Sequence, residues 1–183
     1  MRLLRRADLH AQPWKNGGGV TWEITAHPAG AGLADFDWRI SMAEVASDGP
    51  FSAFPGIDRT LTLLEGAGIV LDFAGAPVTL DPRAPPLSFP GEAPVTGRPI
   101  DGPIIDLNVM TRRASACHAV LPCRGQPLPA GTIAVAARGP GRVGATDLPQ
   151  GSVLLFDNDA AGLPTQGDLL AIIIQTLPSG VAA

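Results

Sequence analysis

The sequence predicts an all-β protein made of two successive units, and three observations support this fold class. Glycine and proline are abundant, with 22 and 19 residues in a chain of 183, and they are scattered between apolar runs. Both residues favour turns, because glycine adopts positive φ and proline presets φ at turn corners. The apolar runs are short, are rich in β-forming residues and recur at about the 8–12-residue spacing of sandwiches and barrels. Few segments support a helix.

The first predicted unit covers residues 1–115 and contains the clearest alternation. Along residues 36–45, Trp38 and Ile40 alternate with polar or small residues, as in a strand with one buried face. Two later runs flank the turn sequence Glu-Gly-Ala-Gly at 65–68 and predict a hairpin. The strands predicted in this unit are 20–26, 36–45, 58–64, 69–73, 77–80, 86–89 and 104–112.

The second predicted unit covers residues 116–183 and follows without a long linker, so we expect the two units to pack face to face. Its rhythm of strand, tight turn and short strand is typical of a jelly roll. A Gly-x-Gly-x-x-Gly motif at 139–144 predicts a hairpin turn rather than a dinucleotide site, because the residues after it cannot open a helix. The strands predicted here are 118–122, 132–137, 142–145, 151–156 and 168–177.

Composition and charge argue against several classes of partner. The net charge of −4 does not suit nucleic acid, which requires a basic surface. The longest apolar run, residues 169–174, is far too short to span a membrane. The arginines at positions 2, 5 and 6 precede no apolar stretch of the kind that a signal peptide needs, so we expect a cytoplasmic protein.

Residues that bind metals or act as nucleophiles are sparse. His10, His27 and His118 are the three histidines, and no two of them have the close spacing of metal ligands on one strand. We therefore expect neither a metal nor another cofactor. No Gly-x-Ser-x-Gly motif occurs, and Cys117 and Cys123 are expected to be reduced thiols, so we assign no catalytic residue.

Polar residues on two otherwise apolar strands are the most informative feature. Arg39 and Ser41 share one face of their strand, and Asp106, Asn108 and Met110 share one face of another. Such a face either meets water or lines a barrel interior, where a charged group must pair with a partner or a ligand. The planar guanidinium of arginine donates two parallel hydrogen bonds to a carboxylate. The sequence leaves both interpretations open.

Six distinctive sequence blocks occur in order between residues 10 and 113. They are PWKNGGGVTWEI at 13–24, FDWRIS at 36–41, DGPFSAFPGIDR at 48–59, LLEG at 63–66, FPGE at 89–92 and DLNVMTRR at 106–113. These blocks resemble the HutD/Ves family, and the second unit fits that family by strand rhythm alone.

The resemblance implies a bicupin, that is, two packed β-sandwich or jelly-roll barrels in one chain, without metal-binding histidines. Some members of the family are encoded with histidine-utilisation enzymes and are associated with sensing or buffering an intermediate of that pathway. Others are named for a stress or cold response. No enzymatic activity is established for the family. The candidate site residues that the resemblance places on these blocks are Lys15, Arg39, Ser41, Asp58, Arg59, Glu65, Asn108 and Met110.

The leading hypothesis is a metal-free small-molecule-binding protein that regulates or buffers histidine utilisation. Arg39 or Arg59 would hold the carboxylate of urocanate or of formyl- or formiminoglutamate, and Trp38 or Phe51 would supply a flat apolar wall. Asp58, Glu65 or Asn108 would bind the other end of the ligand.

Two alternatives belong to other classes. One is a metal-independent enzyme, an isomerase or hydrolase with Glu23, Asp58 or Glu65 as the general base. The other is a structural or interaction module whose glycines and prolines only form turns. The resemblance also leaves open a stress-response protein of unknown ligand. The expected partner is a small organic acid, and the oligomeric state, including a homodimer, stays open.

Overall fold

A computed structural model describes residues 1–14 and 17–177, and it confirms an all-β protein of bicupin type. Within these residues, sixteen strands form three antiparallel sheets, and one turn of 3₁₀ helix, Arg6–Asp8, follows the first strand. No helix in the described ranges has the length and hydropathy that crossing a membrane requires.

The central sheet has the strand order β2-β3-β4-β11-β6-β9. Its strands are β2 (Ala11–Pro13), β3 (Gly19–His27), β4 (Trp38–Val45), β6 (Ile57–Glu65), β9 (Leu87–Pro90) and β11 (Ile104–Arg112). The small sheet, ordered β5-β10-β7-β8, consists of β5 (Gly49–Pro50), β7 (Gly68–Phe73), β8 (Ala76–Leu80) and β10 (Thr96–Ile100).

The C-terminal sheet has the order β1-β15-β13-β16-β12, and β14 pairs with β13. Its strands are β1 (Arg2–Leu4), β12 (Ala116–Cys123), β13 (Thr132–Val143), β14 (Thr146–Leu148), β15 (Val153–Leu155) and β16 (Thr165–Thr176). Strand β1 comes from the beginning of the chain and pairs with β15 near its end. The predicted division at residue 115 stays a prediction, and β1 belongs to a sheet on the other side of it.

Apolar side chains cover both faces of the central sheet. Met42 and Leu107 point from it toward Leu170 and Ile172 of the C-terminal sheet, and all four are fully buried in one core. On the opposite face, Leu61 packs in a second core together with residues of the small sheet. Burial of this apolar surface is the main source of stability in such a stack. The central sheet is therefore the middle layer of three.

The glycine-rich motif of the second unit does not form the predicted turn over its whole length. Strand β13 continues to Val143, with a register irregularity between Ala137 and Gly141, and the chain turns only at Gly144. The carbonyl oxygen of Gln166 lies 2.6 Å from where a Cβ on Gly141 would stand. A glycine at 141 thus permits the close approach of two strands, and the hairpin lies a few residues later.

One histidine links two sheets through neutral partners. The Nε2 atom of His118 on β12 lies 2.8 Å from Thr60 Oγ1, and its Nδ1 atom lies 2.7 Å from Thr111 Oγ1. Both threonines belong to the central sheet. Burial lowers the pKa of His118, against a smaller opposite effect of Asp58. The ring therefore favours its neutral form, in which one nitrogen donates and the other accepts.

Truncating a side chain between the central and C-terminal sheets should destabilise the protein strongly. Leu107→Ala should lower the free energy of unfolding by about 2–5 kcal/mol, because it leaves a cavity in a fully buried core. Leu121→Ala is the control, since Leu121 is 43% exposed and its loss should change stability by about 0.5 kcal/mol or less. Urea unfolding followed by circular dichroism measures both. Equal stabilities of the two variants would contradict the shared core.

Candidate functional site

A cavity of about 560 Å³ opens between the central sheet and the small sheet. Its mouth is mainly apolar, and its inner wall carries polar side chains from three neighbouring strands of the central sheet. The mouth is lined by Trp14, Leu33, Phe51 and Phe54. The inner polar residues are Arg39, Ser41, Arg59, Asp106 and Asn108.

Strand alternation explains why these polar side chains converge. On β4, Ile40 and Met42 point into the core against the C-terminal sheet, so Arg39 and Ser41 point to the opposite face. The register of β11 then brings two arginines together, because Met110 pairs with Arg39 on one side and Arg59 on the other. The cavity wall is thus set by sheet register as much as by residue type.

Arg39 is held in place by two partners. Its Nε donates to Glu23 Oε2 at 2.8 Å, and one of its terminal nitrogens donates to Ser41 Oγ at 3.2 Å. The arginine side chain is almost completely buried, while that of Glu23 is one-third exposed. Glu23 therefore compensates much of the charge of Arg39.

Arg59 has a different environment, in which an amide takes the place of a carboxylate. Its Nε donates to Asn108 Oδ1 at 2.7 Å, and the amide nitrogen of Asn108 donates to Asp106 Oδ1 in a very short contact. The guanidinium carbon lies 4.8 Å from the ring centre of Phe51 and 5.5 Å from that of Phe89. Stacking on aromatic rings suits the weakly hydrated guanidinium. The described residues provide no hydrogen-bond partner for its terminal nitrogens.

Burial shifts the charge equilibria of this chain of groups. Removal from water raises the pKa of Asp106 to about 7, although the positive charge of Arg59 opposes the shift. Removal from water also lowers the pKa of Arg59 to about 10; Asp106 opposes this shift and the like charge of Arg39 adds to it. Arg59 stays charged at neutral pH, so the inner wall is positive and favours an anion.

Not every predicted site residue lies at the cavity. Arg39, Ser41, Phe51, Arg59, Asn108 and Met110 line it. Trp38 does not, because it alternates with Arg39 and its ring stacks on His27 on the other face, with ring centres 5.7 Å apart. Lys15 lies outside the described residues.

The two predicted acidic residues are occupied elsewhere. Asp58 precedes Arg59 on β6 and therefore points to the opposite face, where its carboxylate lies 2.6 Å from Arg113. Glu65, at the end of β6, pairs with Arg6 at 3.3 Å. Neither carboxylate can contact a ligand in the cavity as the structure stands.

Several residues at the cavity were not among the predicted site residues, and Asp106, Trp14 and Leu33 are three of them. Asp106 shares its strand face with Asn108, so the period-2 alternation was a signal that could have identified it. Trp14 and Leu33 line the mouth from irregular segments that have no such periodicity. Trp14 also donates from its indole nitrogen to Thr21 Oγ1 at 2.8 Å, and this bond fixes its ring.

A smaller crevice of about 290 Å³ lies where β9 and β12 approach each other at the edges of their sheets. His118 and Ser88 line it, but both already bond to Thr60. Cys117 lines it as well, and both cysteines are free thiols. Across residues 1–14 and 17–177, no three His, Cys, Asp or Glu side chains are grouped as metal ligands would be. The larger cavity is therefore the candidate site.

A protein-family model described as HutD matches residues 6–167. An uncharacterised 21.2 kDa protein in the hutC 3′ region of Pseudomonas putida is 47% identical over 77 residues, which are 42% of this chain and 40% of that protein. Protein Ves of Citrobacter koseri is 42% identical over 110 residues, 58% of this chain and 56% of that protein. The matched regions thus span about half the length of these curated relatives.

The whole fold is similar to a solved structure. HutD from Pseudomonas fluorescens SBW25, described for a formate condition, has a TM-score of 0.83 and 32% sequence identity to this chain. The match covers 96% of this chain and 98% of that one.

The hydrogen-bonded chain at the cavity floor predicts energetic coupling between Arg59 and Asn108. A double-mutant cycle of Arg59→Ala and Asn108→Ala should give a coupling free energy of about 1–3 kcal/mol, because both groups are buried and each removal leaves one polar atom of the other without its partner. A cycle of Arg142→Ala and Asp147→Ala, an exposed ion pair, should give less than about 1 kcal/mol. Chemical denaturation of the six variants and the parent protein measures both cycles. Equal coupling in the two cycles would contradict the buried chain.

Proposed function

The chain belongs to the HutD family, and we propose that it is a small-molecule-binding protein whose cavity holds the carboxylate of an organic acid. The observation that carries this proposal is Arg59, a buried guanidinium at the cavity whose terminal nitrogens have no hydrogen-bond partner among the described residues. A carboxylate would accept two parallel hydrogen bonds from these nitrogens. It would also neutralise a buried positive charge, which is costly to leave unpaired.

The biological setting narrows the choice of acid. The family is linked to histidine utilisation by its name and by the position of the Pseudomonas putida relative in the hutC 3′ region. We propose that this protein regulates or buffers that pathway in the cytoplasm by binding urocanate, formylglutamate or formiminoglutamate. The apolar mouth formed by Trp14, Leu33 and Phe51 would contact the rest of the ligand.

Ligand binding is better supported than the enzymatic alternative. Of the three carboxylates considered as a general base, Asp58 and Glu65 pair with arginines away from the cavity. Glu23 is not among the residues that line the cavity, and its carboxylate bonds to Arg39. A structural or interaction module that binds no small molecule would not require buried positive side chains around a cavity of this size.

Removal of the Arg59 charge should weaken carboxylate binding. Isothermal titration calorimetry with formate, urocanate, formylglutamate and formiminoglutamate should detect at least one complex. Arg59→Gln should weaken it at least about tenfold, because charge-assisted hydrogen bonds are lost. Arg59→Lys should recover only part of the affinity, since a lysine keeps the charge without the planar fork.

The control variant is Arg142→Gln, which removes an arginine that is half-exposed and is not among the cavity-lining residues. Its affinity should equal that of the parent protein. The absence of binding heat for all four acids at millimolar concentration would overturn the proposal, as would unchanged affinity in Arg59→Gln.

A further inference from the structure

Asp106 is a buried carboxyl group that the proposed binding of a carboxylate does not use. It lies on β11 with no exposed surface, and its neighbours in register are the apolar Ala43 and Leu63. Its Oδ1 accepts from the amide of Asn108, while its Oδ2 has no hydrogen-bond partner among the described residues. A fully charged carboxylate in this position would lack half of the hydrogen bonds that stabilise it.

Asp106 determines how Arg59 is presented to the cavity. Because the amide nitrogen of Asn108 donates to Asp106, the amide oxygen faces Arg59 and accepts from its Nε. The guanidinium is thereby held at one nitrogen and between two phenyl rings, and its terminal nitrogens remain available. Asp106 belongs to the inner wall of the cavity, but its hydrogen bond goes to Asn108 and not to Arg59, so it acts through Asn108 as a positioning residue.

Within the described part of the chain, three charged groups near Asp106 can be named. Arg59 on β6 is the cation that favours the charged form of Asp106. The second cation is Arg39 on β4, whose positive charge is compensated by the carboxylate of Glu23 on β3. Asn108, on the strand of Asp106 itself, is neutral. Burial and Arg59 therefore oppose each other, and together they place the pKa of Asp106 at about 7.

A bound carboxylate would change this balance. It would occupy Arg59, the cation that favours a charged Asp106, and would add a second negative charge nearby. Both effects favour the protonated form of Asp106. Coupling between two binding equilibria is reciprocal, so protonation of Asp106 must strengthen carboxylate binding by the same factor.

We infer that the cavity takes up an organic carboxylate together with one proton, which Asp106 binds from the solvent. This inference rests on the proposed carboxylate site at Arg59. When Asp106 is already protonated, the affinity does not depend on pH. When Asp106 is ionised before binding, it must acquire one proton as the ligand binds. Each rise of one pH unit then lowers the affinity for the carboxylate by up to about tenfold.

Calorimetry with formate and N-formylglutamate tests the inference, since neither acid titrates near neutral pH. Titrations at about pH 6 to 8.5, in buffers that differ in ionisation enthalpy, give the number of protons bound with the ligand. The parent protein should take up close to one proton at about pH 8, and its affinity should fall about fivefold to tenfold between about pH 7 and 8.

Asp106→Asn should remove this dependence. The amide retains an acceptor oxygen for Asn108 and resembles the protonated carboxyl, so binding should be independent of pH and about tenfold tighter than that of the parent protein at about pH 8. Asp72→Asn is the matched control, because Asp72 is exposed on β7, outside the cavity lining. It should retain the proton uptake and pH profile of the parent protein. A structural role of Asp106 alone would instead weaken binding at every pH.

The parent protein provides an independent measurement if Asp106→Asn does not fold. Carbon-13 resonances of labelled aspartate carboxyl groups should include one that titrates near neutral pH and shifts to higher pH when either acid is added. Binding without proton uptake, or with all aspartates titrating in their ordinary range, overturns the inference and leaves the carboxylate site standing. No binding of either acid at any pH overturns both.

Discussion

The burial of the central sheet on both faces is the constraint on which the rest of the structure depends. Where apolar layers cover both faces of a sheet, a polar side chain on it must find a partner inside. On the face toward the small sheet, Arg39 pairs with Glu23, and Arg59 is connected to Asp106 through Asn108. The polar cavity lies where these side chains, and not apolar ones, occupy the space between the sheets.

The two faces satisfy their polar groups in different ways. Toward the C-terminal sheet, His118 bonds two threonine hydroxyls, and all partners are neutral. Toward the small sheet, the groups are charged, and one guanidinium keeps unused donors. Neutral hydrogen bonds avoid the desolvation of a charge between the two sheets. The charged groups lie on the face that carries the larger cavity.

Many of the cavity residues could be predicted from the sequence, but their arrangement in space could not. Alternation along residues 36–45 and 104–112 was sufficient to place Arg39 with Ser41 and Asp106 with Asn108. The register that puts Arg59 beside Met110 depends on pairing between strands far apart in the chain, and alternation carries no information about it. Strand β5 has only two residues, and β10 contains Gly97 and Pro99. Neither strand has enough alternation of apolar and polar residues to be predicted. Family resemblance located Asp58, but it did not distinguish which face of β6 this residue occupies. Trp38, considered as an apolar wall of the site, lies on the face opposite Arg39, as alternation along β4 requires.

The pairing of β1 with β15 has a consequence for synthesis on the ribosome. Leu3 pairs with Leu154 across nearly the entire described chain, so β1 leaves the exit tunnel long before its partner exists. Until then Leu4, which belongs to the core of the finished protein, stays exposed and must avoid other apolar surfaces. Contacts between residues so far apart in the sequence slow folding, because closing the long loop between them costs conformational entropy before the contacts form. Docking of β1 therefore follows the synthesis of β15.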